Sequence, residues 1–171
     1  MRWIVLGIAA LALAGCAKTG ERPETGTPKP PVAIESDSIT YTTGACFGRC
    51  PVFSVTVRPD GSSVFKGERF TAVTGEKAFQ LTPAQYEDFA KRLAPYRPES
   101  GEAIYAPGQP LCKEVATDLP GVDIRWTRAI GDSQHLYYYF GCDMTKNRAM
   151  ADALGGAVEL LPIEDMIGER P

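Results

Sequence analysis

The sequence predicts an α+β fold, an antiparallel sheet built from two hairpins plus flanking strands, with two helices packed on one face. Three observations carry this. Val52 to Val57 and Val122 to Thr127 alternate apolar with polar side chains, each before a glycine turn. Tyr86, Phe89, Ala90 and Leu93, and later Met150, Leu154, Ala157 and Leu161, recur at helical spacing. Strand-then-helix segments in this order are best accommodated by helices laid over an antiparallel sheet.

The chain opens on Met1-Arg2 and an apolar run from Trp3 to Ala14, closed by Leu13-Ala14-Gly15-Cys16. A charged start, a short apolar stretch and small residues before a cut have the form of a secretory signal. The cysteine at the cut resembles the lipobox of bacterial lipoproteins. A spanning helix needs about 20 apolar residues, more than this run supplies. The expected domains are therefore a signal peptide over 1–15, a lipidated Cys16 with a tether over 16–33, and one α+β domain over 34–168. The tether is rich in proline, threonine, glycine and charge and cannot build a core. Its expected site is the periplasm-facing cell envelope, and Ala17, rather than Asp, after Cys16 leans toward the outer membrane.

At 171 residues and net charge −3 the chain is mildly acidic and carries no basic tract. Nucleic-acid binding is therefore not expected, and membrane contact should come through acyl chains on Cys16. Of five cysteines, setting Cys16 aside leaves the even set Cys46, Cys50, Cys112 and Cys142. In an oxidising compartment that suggests two disulfides, for which three connectivities exist. Nearness along the chain favours Cys46–Cys50 with Cys112–Cys142. The shorter bridge requires the chain to fold back, which Gly44 and Gly48 permit.

Taken in order, Ser38 to Thr43 is rich in β-formers and pairs alongside the first hairpin. In that hairpin Phe53, Val55 and Val57 form the apolar face, Pro59-Asp60-Gly61 makes the turn, and Ser62 to Lys66 returns. Lys77 to Leu81 adds a strand. Thr82 is an N-cap, with Pro83 at the first helical position, Gln85 completing a capping box and Leu81 with Tyr86 as hydrophobic staple. Glu87 with Lys91 and Asp88 with Arg92 read as a solvated helix face, and Pro95 stops the helix.

Between Pro95 and Gly121 the prolines Pro98, Pro107, Pro110 and Pro120 predict an irregular loop containing Cys112. Tyr96 and Tyr105, with Glu99, Glu102, Glu114 and Asp118, are candidates for a binding surface there. The second hairpin is expected to turn at Gly131-Asp132, with Trp126 opposite Tyr137, Ile124 opposite Tyr139 and Arg128 opposite His135. Leu136, Tyr138 and Phe140 then fall on the reverse face, either buried by a second layer or exposed as an aromatic patch for a partner. An amphipathic helix over Thr145 to Leu161, weakened at Gly155-Gly156, completes the domain.

Cys46-Phe47-Gly48-Arg49-Cys50-Pro51-Val52-Phe53, followed by the Asp60-Gly61 turn and Gly67, resembles an uncharacterised family of small bacterial envelope proteins. Its signature is Cys-Phe-Gly-x-Cys-Pro-x-Tyr/Phe, and the resemblance extends from about Ile39 to Met166. It implies an envelope domain of α+β build and assigns no catalytic residue, cofactor or ligand.

The functional expectation is a lipid-anchored, non-catalytic binding or structural module for an envelope protein or cell-wall polymer. The alternative is a periplasmic thiol redox protein using Cys46 and Cys50, with Arg49 favouring a thiolate. Against it, the spacing holds three residues rather than two and Pro51 leads into a strand rather than a helix. No catalytic constellation, metal-ligand spacing or phosphate-binding glycine loop is visible, and the single histidine, His135, is expected at a hairpin tip. No cofactor or metal is expected.

Overall fold

The computed structural model describes residues 37–168. Seven strands form one open, mostly antiparallel sheet in the order β4-β3-β2-β1-β6-β7-β5, accompanied by three helices. The strands are β1 (Ser38–Thr43), β2 (Val52–Val57), β3 (Ser62–Arg69), β4 (Gly75–Gln80), β5 (Glu102–Tyr105), β6 (Gly121–Thr127) and β7 (Ser133–Tyr139). The helices are α1 (Pro83–Leu93), α2 (Arg148–Gly155) and α3 (Glu164–Ile167).

Two-residue alternation gives the sheet two unlike faces. Ile39, Tyr41, Val55, Val57, Phe65, Ile124, Trp126, Leu136 and Tyr138 are buried, and the strand register brings them onto one side. Thr40, Thr42, Ser54, Thr56, Asp123, Arg125 and His135 occupy the other. Tyr41 shows how the helices meet the apolar side. Its ring approaches Phe89 of α1 edge-on at 6.4 Å, and its hydroxyl donates to the Leu154 carbonyl of α2 at 3.0 Å.

α1 begins where its capping box predicts: the Gln85 backbone N–H donates to Thr82 Oγ1, and the Thr82 N–H donates to Gln85 Oε1 at 2.9 Å. Pro95 does end the α-helix, although the chain continues as a 3-10 turn over Ala94–Tyr96. The last predicted helix is broken. α2 ends at Gly155, a 3-10 turn covers Ala157–Leu160, and α3 is separate, because paired glycines remove the helical preference at the junction. Its start moves from Thr145 to Arg148.

Two further expectations are corrected. The proline-rich segment is not wholly irregular, since β5 lies within it, parallel to β7 at the sheet edge. Parallel pairing joins residues far apart in the chain, so no local turn signal announces it. The second hairpin turns through Ala129-Ile130-Gly131, with Gly131 at φ +84° and the Arg128 N–H donating to the Asp132 carbonyl at 2.9 Å. Pro59-Asp60-Gly61 closes the first hairpin in the same way, with Gly61 also at φ +84°. The longer loop moves the partner of Trp126 from Tyr137 to Gln134, and that of Ile124 from Tyr139 to Leu136. Because the shift is odd, it exchanges the faces of β7.

Candidate functional site

One end of the sheet gathers both disulfides. β1 ends at Thr43 and β2 begins at Val52, and the connection holds Cys46-Phe47-Gly48-Arg49-Cys50. Cys46 and Cys50 are bridged with Cα atoms 5.8 Å apart. Closing so short a loop turns the chain sharply, and Gly48 adopts φ +141°, a region L side chains avoid. Thr43 fastens the base of the loop: its hydroxyl donates to the Pro51 carbonyl at 2.9 Å and accepts from the Phe53 N–H at 3.0 Å. The Phe47 N–H reaches the Asp118 carbonyl at 3.4 Å.

The side chain of Phe47 is held outward, 86% exposed. Arg49, in the same loop, sets its guanidinium over the Phe70 ring at 5.6 Å, and Arg69 approaches that ring at 5.9 Å. Phe70 is itself exposed, and its φ of +55° is unusual for an aromatic residue. Beside the loop lies an apolar cavity of about 190 Å³, lined in part by Cys50, Pro51, Phe53, Pro120, Phe140 and Val158. Two exposed aromatics, two guanidinium groups set against one of them and a mostly apolar recess alongside thus share this end of the sheet.

The second bridge, Cys112–Cys142, is buried with Cα atoms 5.3 Å apart. It ties the segment before β6 to the chain leaving β7, and Leu111, Val115 and Met144 stand exposed beside it. Asp143, at φ +43°, accepts the backbone N–H groups of Lys113 and Glu114, each at 3.0 Å. Those hydrogen bonds hold its carboxyl below the usual aspartate range. Asp143 also lies near the sulfurs of Cys112 and Cys142, but these are committed to each other and leave no thiolate for a metal.

The structure therefore pairs Cys46 with Cys50 and Cys112 with Cys142, whereas Cys16 lies outside the described residues. The anticipated aromatic surface is not assembled. Leu136 and Tyr138 are fully buried, and Tyr105 and Phe140 are half-buried and pack edge-on against Tyr138, with ring centroids at 5.8 and 5.4 Å. Tyr96 donates to the Ala149 carbonyl at 3.2 Å and braces the turn after α1. These residues support the core because the register of β7 turns Leu136 and Tyr138 inward.

His135 is not at a hairpin tip either; it faces Arg125 within the sheet. Its Nε2 lies 2.7 Å from Asp123, its Nδ1 3.3 Å from Glu102 on β5, and Arg125 bridges to Asp123 at 3.1 Å. With a carboxylate at each ring nitrogen, the imidazole knits three strands together and offers no free nitrogen to a nucleophile. Asp132, in the adjoining turn, accepts from the Gln134 side-chain amide.

The described residues thus form an α+β domain with an open sheet, stapled at one end by two disulfides and presenting aromatic side chains there. The chain belongs to the family described as Domain of unknown function (DUF6438), whose model matches residues 37–156. The match runs from the start of β1 through α2 and takes in the stapled loop, the Asp60-Gly61 turn and both disulfides. It stops short of Met166. No curated protein matches the chain.

Phe47 is not among the surface residues the sequence singles out, although its exposure has a local signal. An aromatic side chain inside so short a disulfide loop has no route to a core built by strands on either side. Phe70 carried no such signal, because its exposure depends on the chain leaving β3 at a left-handed residue.

Proposed function

We propose that this protein is a lipid-anchored, non-catalytic binding module of the bacterial cell envelope, and that it docks a protein partner through the stapled loop Cys46–Cys50. The outward Phe47 carries the reading. A phenylalanine left in water forgoes about 1.5–3 kcal/mol that burial in a partner recovers. The disulfide and Gly48 hold it ready, so little freedom is lost on binding.

The anchor at Cys16, with the signal over 1–15 and the tether over 16–33, is part of the same proposal. It is supported by the apolar run ending at Leu13-Ala14-Gly15-Cys16 and by the bridging of all four remaining cysteines, which suits an oxidising compartment. The redox reading has less behind it. A strand follows Pro51, and the Arg49 guanidinium lies over an aromatic ring.

The test is capture of envelope proteins by the membrane-anchored chain, comparing wild type with Phe47→Ser. A partner retained by wild type and lost from Phe47→Ser supports the reading. Equal capture by both, or no partner for either, counts against it.

A further inference from the structure

At the opposite end of the sheet from the disulfides, a cleft of about 310 Å³ opens between α1 and the start of β1. Its walls carry three cations, Lys91, Arg97 and Arg128, against one carboxylate, Asp37. On a chain of net charge −3 this excess runs against the overall balance. Asp37 is also engaged elsewhere, accepting the Ala129 N–H at 2.9 Å. Arg128 pairs loosely with Asp132 at 3.4 Å, and Lys91 has no ion-pair partner among the described residues.

Arg97 is held in place from two sides. Its Nε donates to Gln134 Oε1 at 2.9 Å, its Nη2 donates to the same oxygen, and its guanidinium lies 5.9 Å from the Trp126 ring centroid. Gln134 is 5% exposed and occupies an inward position of β7 whose neighbours on that face, Leu136 and Tyr138, are apolar. A buried amide is unfavourable unless its polar atoms are satisfied. Here the oxygen orients Arg97 and the nitrogen donates to both carboxylate oxygens of Asp132 at 3.1 Å. The Arg97 Nη1 has no hydrogen-bond partner among the described residues. A guanidinium fixed by a buried amide and an aromatic ring is prepared for oxyanion recognition, since its fork matches carboxylate and phosphate oxygens.

We propose that this cleft binds a small molecule bearing a carboxylate or phosphate group, with Arg97 as the principal ligand and Lys91 and Arg128 completing a positive rim. The site is separate from the Phe47 surface and does not depend on it. Trp126 lines the cleft, and the other tryptophan, Trp3, lies within the proposed signal over 1–15, so a Trp3→Phe background makes emission a local reporter whether or not that segment is removed.

The Trp3→Phe protein, extracted from membranes into detergent micelles, is titrated with inorganic phosphate and glycerol 3-phosphate in one arm, and with acetate and dialanine in the other. Trp126 emission and binding heat are both followed. Saturable binding below about 5 mM in either arm is expected. Affinity should fall about ten-fold in Arg97→Gln and in Lys91→Glu, the latter an exposed position on α1 whose change leaves the fold intact. Saturation in the phosphate arm identifies a phosphate ligand, and saturation in the other a carboxylate. Failure of both arms to saturate below that concentration, or unchanged affinity in both variants, overturns the proposal.

Discussion

Phe47 and Tyr138 are both aromatic and both near the disulfides, yet they sit in opposite environments. Replacing Phe47 by Ser should leave stability within about 0.5 kcal/mol, because its side chain stands almost wholly in water. Tyr138→Ala should lose about 3–5 kcal/mol through the cavity it opens. Chemical denaturation of both variants checks the pair. Asp143 makes a separate prediction for pH. Its folded carboxyl is held below its unfolded range near pH 4, so its stabilisation is present above that value and fades as pH falls through the lower folded value. Between about pH 5 and pH 2, Asp143→Asn should therefore show a shallower loss of stability than wild type, measured by denaturant midpoints at each pH. Equal slopes would remove Asp143 from the account of acid sensitivity. The cysteines, their local neighbours and the Asp60-Gly61 turn were legible at this scale, since each is a short-range chemical signal. The contacts of His135 and the exposure of Phe70 were not, because both follow from strands placed by distant residues.

Among the elements, α1 was the most readable, with Thr82, Pro83 and Gln85 together defining its start. Thr82→Ala should cost about 1 kcal/mol, measured by thermal or denaturant unfolding, and an unchanged midpoint would deny the cap its role. The disulfides differ in the chain they close, with sequence separations of 4 and 30 residues. On chain entropy the shorter should contribute about 2 kcal/mol and the longer about 3.5–4 kcal/mol. Paired serine substitutions at each bridge, followed by denaturation, should rank them in that order. The second hairpin shows why element type was easier to read than register. Its alternation was plain, but Gly131 serves equally in a two-residue turn or as the last residue of a three-residue loop. That difference moved every pair by an odd step and exchanged the aromatic faces of β7. Strand β5 stayed hidden because four residues between prolines and glycines, paired in parallel to a distant strand, leave no periodic trace.

At the scale of the whole molecule, the sheet separates two candidate surfaces, the aromatic stapled loop at one end and the basic cleft at the other. The α+β class and its main strands and helices followed from periodicity and caps, whereas the two surfaces appeared only once residues distant in sequence were brought to the same end. If Phe47 meets a protein partner, as proposed, a photoreactive amino acid placed at position 47 of the chain in living cells, with position 130 as a control, will capture it. Ile130 is also exposed, at 65%, but at the far end of the sheet. A discrete protein adduct formed from position 47 and missing from position 130 is the expected result. No adduct from position 47, or the same adducts from both positions, would contradict it.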